Sequence, residues 1–205
     1  KAVAYIRGYS SGWNFVPQNV DTYTSGTNSV NYSCPAAARA LASMTQSEFY
    51  AYANSLVAGG NTFHDIGAIW GGRLSSPDGI FGSLVNDPPA NGGRVARHLI
   101  FMTDGEMNAD NLTYSTYGIE FHDKRATNDG GSNNDAVHSS RFVAVCQAIK
   151  AKGIRLWVIS YGTALTSELQ SCASDQSAFM AADSNEINTQ FQVIASQVGQ
   201  LRVTQ

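Results

Sequence analysis

The sequence predicts an α/β domain built on a mostly parallel, open sheet with helices on both faces. Three observations carry this. Leu99-Ile100-Phe101-Met102 is an apolar run closed by Thr103-Asp104-Gly105, the pattern of a buried parallel strand ending in an acidic loop. Residues 142–162 read as a helix, a turn at Gly153 and a second apolar strand. From about Ser184 onward, Ile187, Phe191, Ile194, Ala195, Val198 and Leu201 fall on one helical face. Helices alternating with apolar strands bury a sheet between two helical layers.

The elements follow in order. Residues 1–7 hold a strand, Ala2 to Ile6, and residues 10–33 are a turn-rich loop. Pro35 is suited to the first position of a short helix over 35–42. Thr45 and Glu48 have capping-box spacing, with Phe49, Tyr52, Ala53 and Leu56 at helical intervals and Gly59-Gly60 as the stop. Gly59-Gly60-Asn61-Thr62 then forms a small-residue loop before a helix over 64–74. Residues 77–93 are irregular, and the 99–103 strand follows. A polar insertion occupies 107–140; its Gly130-Gly131-Ser132-Asn133-Asn134 run is expected to be mobile unless a partner or ion orders it. A helix at 141–152, a strand at 154–161, a helix near 165–172 and an edge strand at 178–182 precede the last helix. No internal repeat and no second domain are read.

The bulk numbers narrow the function. With 205 residues and 43% hydrophobic content, the chain can bury one full core. Only 14% of residues are charged and the formal net charge is -3, so nothing draws the chain to nucleic acid. There is no transmembrane run and no signal peptide. The chain starts at Lys1, almost within a strand, and so reads as part of a longer polypeptide. Of the three cysteines, Cys146 and Cys172 flank one helix-strand-helix unit; they are either bridged or two buried thiols, and Cys34 is left over.

Thr62 and Asp104, a hydroxyl and a carboxylate on two loops, can converge on a hard cation. These loops, in order with several other segments, resemble the von Willebrand factor A domain of TadG-like proteins of the Tad/Flp pilus-assembly system. The segments are Ile69-Trp70-Gly71-Gly72-Arg73-Leu74-Ser75-Ser76-Pro77, Tyr117-Gly118-Ile119-Glu120, the 142–162 unit, Leu169-Gln170-Ser171-Cys172-Ala173-Ser174 and Leu201-Arg202-Val203-Thr204-Gln205. The likeness is close over residues 45–205 and loose over 1–44.

The resemblance implies a Rossmann-like von Willebrand A fold whose first strand and helix lie upstream of Lys1, with a membrane anchor before them. It implies a metal-ion-dependent adhesion site built from an Asp-x-Ser-x-Ser loop, a threonine and an aspartate. Thr62 and Asp104 match the last two; Gly105 permits the turn and Glu106 adds negative charge behind it. Such oxygen ligands suit Mg²⁺, with Mn²⁺ or Ca²⁺ as alternatives. No Asp-x-Ser-x-Ser follows a strand here, and Asp175-Gln176-Ser177-Ala178-Phe179 comes too late and lacks the second serine. The missing motif is therefore expected upstream, and the cation site is conditional on it.

The resemblance also implies that Cys146 pairs with Cys172, in an oxidising compartment. The implied function is a non-enzymatic module of the cell envelope, on the periplasmic or extracellular face. It would support pilus assembly or adhesion, bind protein partners through the cation, and present the 107–140 insertion to them. The alternative within this class is a metal-independent structural subunit.

One catalytic pattern competes. Gly8-Tyr9-Ser10-Ser11-Gly12 has the spacing of a nucleophile elbow after an apolar strand, and Asp104 with His122 or His138 could complete a triad. An elbow needs a helix directly after its serine, whereas Trp13-Asn14-Phe15-Val16-Pro17 reads as loop. Ser10 is then an ordinary turn residue and no catalytic residue is expected. His64 and Asp65 are read as an exposed helix start with Asp65 favouring the dipole, His98 as a strand-edge hydrogen-bonding group, and His122-Asp123-Lys124-Arg125 as a solvated face.

Overall fold

The computed structural model describes residues 35–88, 90, 92–131 and 133–200. The expected strand at 1–7, the loop carrying Ser10, Cys34 and the closing 201–205 with Leu201 lie outside the described residues. In chain order the elements are α1 (Gln46–Ser55), α2 (His64–Ser75), α3 (Gly82–Val85), β1 (Arg97–Thr103), β2 (Tyr114–Ser115) and β3 (Gly118–Ile119). They continue as α4 (Glu120–Asp123), α5 (Asn134–Ala151), β4 (Ile154–Tyr161), α6 (Ser167–Cys172), β5 (Ala178–Ala181) and α7 (Ser184–Gln200). The described chain divides into two compact units. The first holds 35–38, Ser43–Phe63 and Met107–His138; the second holds Arg39–Ala42, His64–Glu106 and 139–200.

The second unit carries the main sheet. Its three strands run parallel in the order β1-β4-β5, with Ile100 opposite Trp157, Thr103 opposite Ser160, and Tyr161 opposite Ala181. β4 lies at the centre because Leu156-Trp157-Val158-Ile159 is apolar on both faces, and all four side chains are buried. On one face α7 lays Ile187, Ile194 and Val198 against Trp157, Ile159 and Ala181. On the other, α2 comes close to β1 through glycine: a Cβ on Gly71 would stand 2.8 Å from Leu99 Cδ1. The next residue, Gly72, faces Ile149 of α5 as tightly. Helices on both faces of a parallel sheet are the expected α/β architecture, compatible with a Rossmann-like fold.

Cys146 of α5 and Cys172 of α6 are both buried, with their sulfurs 2.05 Å apart, at disulfide distance. Lys150 Nζ, one turn along α5, donates to the Ser171 and Ala173 carbonyls at 2.7 and 3.0 Å, satisfying acceptors at the end of α6.

The first unit holds α1 and the polar insertion. Thr45 and Glu48 form the expected capping box, with the Thr45 N–H donating to Glu48 Oε2 at 2.7 Å. Two expectations fail nearby. The 35–42 helix is absent, since all of these residues are exposed and no apolar face offsets the cost of nucleation. α1 ends at Ser55, not at Gly59-Gly60: Ser55 Oγ donates to the Tyr52 carbonyl, and Leu56 turns extended.

The insertion is more structured than its composition implies. β2 and β3 pair antiparallel, and α4 leads into a loop gathered by Glu120. That carboxylate accepts from the Arg125, Ala126 and Thr127 N–H groups and from the Thr127 hydroxyl, at 2.6 to 3.0 Å. Gly130, expected to be mobile, has its carbonyl held by Asn111 Nδ2 and donates its N–H to Thr127 Oγ1. It must be glycine, because a Cβ there would stand 2.8 Å from the Phe121 carbonyl oxygen. α5 also starts earlier than the expected 141: Asp135 in its first turn accepts from the Ala109 N–H, and Asn134 Nδ2 donates to the Ala109 carbonyl.

Burial alone would raise the Glu120 pKa, but the Thr127, Ala126 and Arg125 hydrogen bonds outweigh it and hold the carboxyl below its ordinary value of 4.5. A depressed folded-state pKa gives stability that is complete above the unfolded value and is lost as pH falls through the folded one. Glu120→Gln is expected to cost about 1–3 kcal/mol at neutral pH by weakening acceptors of buried N–H groups. The gap between variant and parent, read by urea unfolding, should shrink below pH 4.5.

Candidate functional site

In a parallel sheet the loops at the carboxyl ends of the strands gather on one edge, where α/β proteins bind ligands. Three such loops follow β1, β4 and β5, and at two of them polar side chains bond within their own loop. After β4, buried Ser160 Oγ donates to the Thr163 carbonyl at 2.7 Å. After β5, Asp183 caps α7 by accepting from the Asn185 and Glu186 N–H groups, and Glu186 accepts from the Ala182 N–H. The loop after β1 differs. Asp104 and Glu106 are both exposed, and neither carboxylate makes a hydrogen bond among the described residues.

The turn that presents them is rigidly tied. Thr103 Oγ1 donates to the Gly105 carbonyl at 3.0 Å and accepts from the Gly105 N–H at 3.3 Å. His64, the first residue of α2, reaches the same turn: its Nε2 lies 3.1 Å from Thr103 Oγ1 and 3.2 Å from the Gly105 oxygen. A carbonyl only accepts, so the His64 proton sits on Nε2. Contrary to the expected exposed helix start, His64 is 6% exposed and Asp65 is fully buried. Phe101 meets the His64 ring edge-on at 5.6 Å and Phe142 packs tilted at 5.4 Å. Burial lowers the His64 pKa, outweighing the opposing Gly105 contact and the Asp65 charge, so the ring is neutral at pH 7.

The other expected positions fall as follows. Thr62 lies half-buried in the first unit, where its backbone exchanges hydrogen bonds with Asn108 at 3.1 and 3.0 Å. Asp104, Gly105 and Glu106 form one turn of the second unit. His138 is buried in the first unit with Phe63 and Tyr117 edge-on to its ring, 5.1 and 5.3 Å away. His98 accepts on Nδ1 from Trp157 Nε1 at 3.1 Å, as its place at the start of a strand led one to expect of a hydrogen-bonding group. The residue that sequence reasoning missed is His64. Its signal was present in the small residues Ala68, Gly71, Gly72 and Ser75, which follow it at helical spacing and mark the face turned to the sheet.

No group of three or more His, Cys, Asp or Glu side chains placed to hold a metal occurs among the described residues. The β1 loop supplies two uncommitted carboxylates and no softer donor. Mg²⁺ is commonly held by one or two carboxylates while keeping several waters. The loop therefore fits a weakly held hard cation and does not fit a tight, enclosed one.

No helix among the described residues is long and apolar enough to cross a membrane. No family model, no curated protein and no solved structure matches the chain.

Proposed function

We propose that this chain carries a von Willebrand A-like domain similar to that of TadG-like pilus-assembly proteins, acting as a non-enzymatic binding module of the cell envelope. Its partner is a protein of a pilus or surface assembly, engaged through a divalent cation at the Asp104 loop on the condition that an Asp-x-Ser-x-Ser loop completes the site. The observation that carries the reading is the contrast along the sheet edge: the loops after β4 and β5 use their own polar groups, while Asp104 and Glu106 stand free on a turn fixed beneath them. The Cys146–Cys172 pair at disulfide distance supports an oxidising compartment, consistent with the periplasmic or extracellular face. Mg²⁺ is the favoured ion, with Mn²⁺ and Ca²⁺ as alternatives.

Calorimetric titration with Mg²⁺ tests this on the parent and on Asp104→Ala. The parent should bind and gain thermal stability with added cation. Asp104→Ala should lose both responses while unfolding within about 0.5 kcal/mol of the parent without cation, because it alters an exposed side chain. A parent that neither binds nor gains stability would leave a metal-independent structural subunit, and equal binding by Asp104→Ala would remove Asp104 as a ligand.

A further inference from the structure

We infer that His64 is the positioning residue of the Asp104 loop: its Nε2–H clamps the turn on both sides of Asp104 and so fixes where that carboxylate stands. The assignment rests on the cation-site reading above and adds to it the group that preorganises the site. Asp104 itself makes no hydrogen bond among the described residues, so its position is inherited from its neighbours in the chain. Those neighbours, Thr103 and Gly105, are the two residues that His64 Nε2 touches, at 3.1 and 3.2 Å.

His64 is itself held in place. It opens α2, so its backbone moves only with that helix, and Gly71 seats the helix against Leu99 of β1. Phe101 and Phe142 confine its ring from two directions. The clamp thus joins a fixed helix start to the end of a fixed strand, spanning 39 residues between His64 and Thr103. An aliphatic side chain could fill the same apolar site but could not reach the turn with a donor. Partners that orient ligands of a cation are typically worth about ten- to hundredfold in affinity.

Two substitutions separate positioning from packing. His64→Leu keeps apolar volume and removes the donor; His64→Gln places an amide N–H near the Nε2 position. Hydrogen exchange is followed at Gly105 and at Leu156–Ile159 of β4, and Mn²⁺ affinity is measured in parallel. In His64→Leu, Gly105 should exchange about tenfold faster with the β4 amides unchanged, and Mn²⁺ affinity should fall at least about tenfold. His64→Gln should recover most of both. Unchanged Gly105 exchange in His64→Leu, or equal damage in both variants, would overturn the assignment.

A parent chain that binds no Mn²⁺ removes the cation reading, and the exchange data then decide the clamp alone. Nitrogen NMR of the parent provides a check that needs no variant to fold. The His64 imidazole should carry its proton on Nε2, and a proton on Nδ1 would refute the clamp.

Discussion

Trp157→Ala is expected to destabilise the sheet-bearing unit by about 3–5 kcal/mol, a large share of the 5–15 kcal/mol that holds a typical domain together. Trp157 is 0% exposed at the centre of β4 and packs with Ile159, Ala181 and Ile194. Phe179 stacks nearly parallel to its ring at 6.3 Å, and the Arg155 guanidinium sits 4.4 Å from the ring centroid. The indole N–H also donates to His98 Nδ1, so truncation removes a cavity's worth of contacts and leaves that acceptor without its donor. Trp157→Phe retains most of the packing and loses the hydrogen bond, and should cost about half as much. Chemical unfolding of the three proteins checks the order. Equal midpoints for the parent and Trp157→Ala would mean that β4 is not the core of the unit.

The second large effect concerns Cys146 and Cys172. Replacing both with alanine, or reducing the native protein, is expected to cost about 2–5 kcal/mol. The bridge closes a loop of sequence separation 26 that contains all of β4, and both sulfurs are buried. Loss of the cross-link frees the unfolded chain, and alanine leaves space at the contact of α5 with α6. Lys150 holds the same end of α6 through the Ser171 and Ala173 carbonyls, so α6 should loosen without detaching. A lower melting temperature in reductant for the parent, with no further effect on the double variant, identifies the bridge as the cause. A thiol assay showing two free cysteines in the unreduced parent, with no stability change on reduction, would contradict it.

The strands of the sheet were legible in the sequence because each carries its own signal. The 154–161 run is nearly all apolar, and β4 has those limits. The 99–103 run gained Arg97 and His98 at its start, where Arg97 reaches the Val85 carbonyl and Asn86. The final helix was fixed by Ile187, Phe191, Ile194 and Val198 on one face, of which Ile187, Ile194 and Val198 meet the core. Elements held by polar contacts were not legible. α5 reaches back to Asn134 because Asn134, His138, Phe142, Cys146 and Ile149 form one buried stripe, but its first two members are polar and hid the repeat. The turn at 125–127 is gathered by one carboxylate, Glu120, whose oxygens accept from backbone donors up to seven residues away; no periodicity announces that.

The candidate site divides along the same line. Thr-Asp-Gly after an apolar run marked Asp104 as the edge carboxylate, and the structure leaves that side chain exposed on its turn. The histidine beneath the turn was misread as exposed because a helix start of His-Asp ordinarily faces water. Its burial depends on Phe101 and Phe142, which lie far along the chain from it.

The central claim is that a divalent cation binds at the Asp104 loop. The most direct test adds substoichiometric Mn²⁺ to isotopically labelled protein and maps which amide resonances the paramagnetic ion broadens. The account predicts broadening centred on Thr103, Asp104, Gly105 and Glu106, reversed by excess Mg²⁺ and absent in Asp104→Ala. Broadening centred elsewhere, or none at all, would contradict it.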